Sequence, residues 1–304
     1  MLQGYILFLF LVVMVQLFTG ILANGLIVVV NATDLITRRK MSPLGLLLSC
    51  LATSRIILQL CILFAQLGLF CLAKSSLFAD NVAFVFFINE LSLWFATWLC
   101  VFYCAKIATI SLPLFLWLKM RISRLIPWLI LGSVLYSTVT VMIHGRETSI
   151  IPKQMYASFF SENATQVIKL HNMALSVIIL GLTLPSLIFI VAVLLLIFSL
   201  WNHSWKMRTV VGTSRYAHIS AMLSFLSFFI LYFCHYMVAL VVCTQGFQLG
   251  SIDFLYCTLL VGMYPSLHSV ILILGNPKLR QNVKMFFVHC KCCHCVRAEI
   301  TSRK

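Results

Sequence analysis

Seven apolar runs, each long enough to cross a bilayer, dominate this chain. They fall at about 5–31, 42–70, 82–112, 125–143, 173–200, 217–243 and 252–275. A hydrocarbon core about 30 Å thick needs about 20 helical residues. Inside lipid the backbone must satisfy its own hydrogen bonds, which leaves helices for runs of this kind. Only 10% of the 304 residues are charged, against about 25% in soluble domains, too few to cover a water-soluble fold of this size. The expected fold is an all-α membrane protein, a seven-transmembrane helix bundle with a short cytoplasmic amphipathic helix. Residues 1–275 form the bundle and 276–304 a tail. The first run is too long for a signal-peptide core and lacks a basic n-region, so it reads as a retained helix.

Charge orients the bundle. Arg38, Arg39 and Lys40 follow the first run, Lys119, Arg121 and Arg124 the third, and Lys206, Arg208 and Arg215 the fifth. The tail adds Lys278, Arg280, Lys284, Lys291, Arg297, Arg303 and Lys304, whereas the opposite side holds only Lys74, Arg146, Lys153 and Lys169. The excess of positive charge on cytoplasmic loops predicts an extracellular N-terminus and a cytoplasmic C-terminus in a multi-pass protein. Asn163-Ala-Thr then falls in the longest outer loop and is the expected glycosylation site, whereas Asn31 and Asn202 fall inside.

The stretch Ile88–Ser123 is the most informative. It reads as a spanning helix with Asn89 and Glu90 at one end, Tyr103 and Lys106 deeper, and a basic cluster at the other. Asn89 and Tyr103 stand roughly 21 Å apart along the axis. Ionisable groups inside a span are costly and mark paired or functional sites. Glu90 and Asn89 read as ligand contacts, or as polar groups held by a neighbouring helix. Arg55 shares its depth with Asn24, His268 and Ser269, which predicts an interhelical network, architectural or switching. Lys106 reads as a snorkelling side chain. Tyr232 and Tyr236 are four residues apart and share a helix face with Phe225 and Phe229, as packing or as a pocket wall. Thr258 is a further candidate wall.

The tail segment Pro277–Val288 sets Leu279, Val283, Phe286 and Phe287 against Lys278, Arg280 and Lys284, the pattern of an interfacial helix. Cys290, Cys292, Cys293 and Cys295 follow. Their spacing suits palmitoylation better than a metal site. The sequence holds no HExxH, GxSxG or phosphate loop, so neither an enzyme nor a cofactor is expected. A small transporter or channel with Glu90, Lys106 and Arg55 lining a path is the alternative reading.

Seven spans with a basic inner face suggest a G-protein-coupled receptor, yet no D/E-R-Y follows the third run and no CWxP marks the sixth. The runs LATSRIILQ (Leu51–Gln59), WFATWLCVFYCAKIA (Trp94–Ala108), FLWLKMRI (Phe115–Ile122), SLWNHSWKM (Ser199–Met207) and HSVILILGNPKLRQN (His268–Asn282) instead resemble the type 2, or bitter, taste receptors. Gly45 stands where that family usually has an aspartate. The resemblance implies a plasma-membrane receptor for small bitter compounds. It would signal through gustducin-type G proteins to phospholipase C and calcium release. It also implicates Asn89, Glu90, Gln66 and Met263 in agonist binding and matches Arg55 to the family's helix-two arginine. The G protein would meet Lys119, Arg121, Lys206 and Arg208.

Overall fold

The computed structural model describes residues 2–67, 76–108, 113–148, 172–206, 213–244, 252–276 and 279–285. Seven helices follow one another: α1 Leu2–Arg38, α2 Pro43–Leu67, α3 Ser76–Ile107, α4 Pro113–Thr148, α5 Asn172–Lys206, α6 Thr213–Thr244 and α7 Ile252–Gly275. A short helix α8, Leu279–Met285, turns 90° away from α7.

The helices outrun several of the apolar stretches that nucleate them. Asp34 and Arg38, beyond the first apolar run, form the last helical turn of α1, with Arg38 Nε 3.8 Å from the Asp34 carboxylate. The helix stops at Arg39, whose φ of 49° is the left-handed conformation that terminates helices. Ser42 opens α2: its hydroxyl accepts the Gly45 N–H at 3.0 Å and its carbonyl accepts the Leu46 N–H at 2.9 Å. Pro43 occupies the first helical position, where a missing N–H costs nothing. The basic cluster assigned to the far end of the third span belongs elsewhere. α3 ends at Ile107, and Lys119, Arg121 and Arg124 lie in the first turns of α4, which starts on Pro113.

Six described segments are each long and apolar enough to span a bilayer: Leu7–Arg38, Pro43–Phe64, Phe84–Ile107, Phe115–Ile143, Gly181–Asn202 and Leu223–Val241. The Leu259–Gly275 segment of α7 makes a seventh if counted together with the bent α8. α1 packs on α2 and α7, α2 on α3, α3 on α4 and α5, α5 on α6, and α6 on α7, which closes the bundle. In α3, 61% of the apolar window is buried, against 22% in α4 and 17% in α6, so α3 is the central post.

Burial is sorted as lipid requires. Leu7, Phe8, Val15, Leu22, Trp128, Met142 and Phe198 face outward. Asn24, Arg55, Gln59, Glu90, Thr97, His235, Ser266, His268 and Ser269 are buried among the helices. Polar groups in an apolar solvent hide inside and bond to one another.

Close helix approach depends on glycine at one position above all. A Cβ on Gly20 of α1 would fall 2.0 Å from Gln59 Nε2 and 2.4 Å from Ser266 Oγ. At the tail end, Asn276 caps α8, accepting the Leu279 N–H on its side chain at 3.2 Å and the Arg280 N–H on its carbonyl at 2.9 Å. Leu279 and Val283 are buried while Arg280, Lys284 and Met285 are exposed, an amphipathic arrangement.

Candidate ligand-binding site

Asn89 and Glu90 are neighbours on α3, so their side chains leave the helix about 100° apart. Asn89 faces α6, and its Oδ1 lies 3.1 Å from Nε2 of His235. Glu90 faces α4 and α5. It is 7% exposed and accepts the Thr140 hydroxyl at 2.8 Å. Its carboxylate lies 3.4 Å from where a Cβ on Gly181 would stand, so the glycine on α5 makes room for it. The two polar residues therefore tie α3 to three different helices.

One helical turn further along, α6 contributes its two tyrosines. The Tyr236 hydroxyl bonds Thr183 of α5 at 3.1 Å. Tyr232 is buried, stacks on Phe189 with ring centroids 4.0 Å apart, and sets its hydroxyl 3.5 Å from both Thr97 and Ser186. The Thr97 hydroxyl also donates to the Pro185 carbonyl at 3.1 Å. The tyrosine stripe packs through its rings and bonds through its hydroxyls to α3 and α5.

Tyr264 of α7 joins this site to the network below it. Its ring lies 4.9 Å from His235, 5.7 Å from Tyr232 and 5.7 Å from His268, centroid to centroid. Arg55, fully buried, has its guanidinium carbon 4.8 Å from the same ring. The guanidinium Nη1 donates to His268 Nδ1 and reaches Ser269 Oγ at 3.4 Å. Ser269 in turn donates to Asn24 Oδ1 at 2.7 Å. The structure thus brings Arg55, Asn24, His268 and Ser269 together. It adds Gln59, whose amide donates to Ser266 at 2.8 Å. Sequence reading missed Tyr264, Gln59 and Ser266. The available signal was the four-residue spacing of Tyr264 and His268, which puts them on one face of α7.

A family model described as taste receptor protein (TAS2R) matches residues 1–291. The chain belongs to the type 2 taste receptors. Taste receptor type 2 member 119 of Mus musculus is 70% identical over 306 residues, covering 100% of this chain and 91% of the relative. Taste receptor type 2 member 1 of Pan paniscus is 48% identical over 299 residues, covering 96% and 100%. Squid rhodopsin shares the fold at a TM-score of 0.60 and 13% identity, over 95% of this chain and 87% of that one. A bitter taste receptor of the G-protein-coupled type, rather than an enzyme or a transporter, is the reading these matches support.

The remaining sequence candidates in this taste receptor are distributed as follows. Met263 of α7 is half-buried beside Tyr264. Gln66 and Thr258 lie on α2 and α7, but their side chains fall outside the described residues, as does that of Lys206. Arg208, Asn163, Cys290, Cys292, Cys293 and Cys295 also lie outside them. Lys119 sets its ammonium 3.4 Å from the Ala108 carbonyl at the end of α3. Arg121 is exposed over the Trp117 ring at 5.7 Å. Lys106 is exposed, with its ammonium 5.9 Å from the Phe102 ring. Tyr103 packs edge-on against Phe225 of α6 at 5.6 Å. That contact gives the C-terminal part of α3 a structural role. Among the described residues no three His, Cys, Asp or Glu side chains gather as a metal site.

Proposed function

We infer that this taste receptor binds small amphipathic bitter compounds at the Asn89–Glu90 end of the bundle, which faces outside. Asn89, Glu90, Gln66, Tyr232, Tyr236, Thr258 and Met263 form or border the site. The observation that carries the reading is the Asn89–His235 hydrogen bond, beside the ring contact of His235 with Tyr264. A ligand group that competes for Asn89 releases His235 from α3. Tyr264, packed between His235 and Arg55, then senses the change. The ligand acts by binding one helix arrangement better than the other. Glu90 supplies the site's carboxylate, which suits ligands with a hydrogen-bond donor or a positive charge.

The tail end carries the cationic surface for the G protein. Arg121 is exposed there, with Lys119 beside the end of α3; Lys206 and Arg208 are the further candidates. Coupling runs through a gustducin-type α subunit to phospholipase C and calcium release. α8 lies on the inner leaflet, and Cys290, Cys292, Cys293 and Cys295, which follow it in the sequence, are palmitoylated. The test is a calcium assay with a panel of bitter compounds in cells with and without a gustducin-type chimeric α subunit. Agonist-driven calcium release that depends on that subunit is expected. A ligand-gated current in its absence would refute the receptor reading.

A further inference from the structure

The Arg55 cluster carries a charge that the protein does not neutralise among its described residues. Arg55 is fully buried. The carboxylates with described side chains are Asp34 and Glu90. Asp34 lies beside Arg38 and Glu90 accepts from Thr140 on the far side of α3. Buried intramembrane cations are costly unless an opposite charge or strong acceptors meet them. Tyr264 offers only the weak negative face of its ring, which bears no net charge.

The acceptors that meet Arg55 are neutral: Nδ1 of His268 and, at 3.4 Å, Oγ of Ser269. Nε and Nη2 of Arg55 make no hydrogen bond within the protein, nor does the Tyr264 hydroxyl or Nε2 of His268. The Tyr264 oxygen faces the guanidinium as an acceptor, short of close hydrogen-bond geometry, and the hydroxyl keeps its own proton to donate. Arginine can only donate, so Nδ1 of His268 must accept from Nη1. A neutral imidazole that accepts at Nδ1 carries its proton on Nε2. Arg55 Nε, Arg55 Nη2, Tyr264 Oη and His268 Nε2 are therefore all available to donate. Gln59 Oε1 is the one unpartnered acceptor close in sequence on the same helix. The Phe228 ring sits 3.6 Å from the His268 ring, centroid to centroid. Such crowding favours a monatomic ligand over a polyatomic one.

We propose that the cluster of Arg55, Tyr264 and His268 binds one small monatomic anion of the halide class. The anion accepts from the guanidinium and the tyrosine hydroxyl and cancels the buried charge. It joins α2 to α7, and α7 is joined to α1 through Ser269 and Asn24. A ligand bound only by the folded state raises its stability in a saturable way.

The probe is bromide. Purified full-length receptor in detergent is heated in mixtures of sodium gluconate and sodium bromide at constant sodium. The unfolding midpoint is expected to rise and saturate with bromide. Tyr264→Phe keeps the ring and removes one donor to a charged partner, which should raise the half-saturating bromide concentration about tenfold. Arg55→Gln should abolish the response; if that variant does not fold, Tyr264→Phe carries the test. Equal midpoints in the two salts would overturn the proposal and leave internal water as the partner of these donors. A rise that does not saturate, or that is identical in Tyr264→Phe, would overturn it as well.

Discussion

The guanidinium of Arg55 lies against the ring of Tyr264, with 4.8 Å from its central carbon to the ring centroid. The same guanidinium donates to His268, one turn further along α7. Two residues of α7 four apart thus grip one side chain of α2. The grip extends to α1 through Ser269 and Asn24, so one cation organises three helices.

Lysine cannot reproduce that geometry, because it lacks the planar fork that stacks on a ring while donating sideways. Arg55→Lys should lower stability by about 2 kcal/mol, the scale of a desolvated cation–π contact with a hydrogen bond. Thermal unfolding of the purified protein in one detergent checks this. An unchanged midpoint would mean that the stack contributes nothing.

Of the described glycines, Gly20 leaves the least room for a Cβ. Its neighbours Gln59 and Ser266 are both buried and bonded to each other, and Ser266 also donates to the Gln16 carbonyl at 3.1 Å. A methyl group at position 20 forces that pair apart. Gly20→Ala should cost about 1–3 kcal/mol, as overpacking does, and reduce surface expression. Cell-surface labelling and thermal unfolding read the two effects.

The Asn89–His235 bond can be isolated by a double-mutant cycle. Asn89→Ala and His235→Ala should couple by about 1 kcal/mol in unfolding free energy, the typical net value of one hydrogen bond. Strict additivity would show that the two side chains do not interact in the native state.

Much of this was legible in the sequence, for a physical reason. Long apolar runs in a chain with few charges leave lipid-embedded helices as the available fold class, and Arg55, Asn24, His268 and Ser269 stand out as polar residues with nowhere else to go. What the pattern hides is azimuth. Asn89 and Glu90 look like one polar pair, yet they serve α6 on one side and α4 and α5 on the other. Tyr264 escaped because an aromatic in an apolar run stands out only through its four-residue spacing from His268. Helix ends were blurred because basic residues such as Lys119 and Arg121 belong to α4, which starts on Pro113, ahead of the apolar run that marks it.

Orientation has a simple chemical readout. If the loop that holds Asn163 faces outside, that sequon is glycosylated, and Asn163→Gln removes a glycosidase-sensitive gel shift. Asn31→Gln and Asn202→Gln should change nothing. A shift lost with Asn31 or Asn202 instead would invert the topology.

The site assignment rests on the polar pair of α3, and one measurement reaches it most directly. Agonist dose–response curves are recorded by calcium release for wild type, Asn89→Ala and Glu90→Ala at matched surface density. Loss of a polar contact of about 1.4 kcal/mol corresponds to a tenfold change in affinity. The account predicts half-maximal concentrations displaced about tenfold or more for both variants, with receptor still at the cell surface. Curves that superimpose on wild type would contradict it.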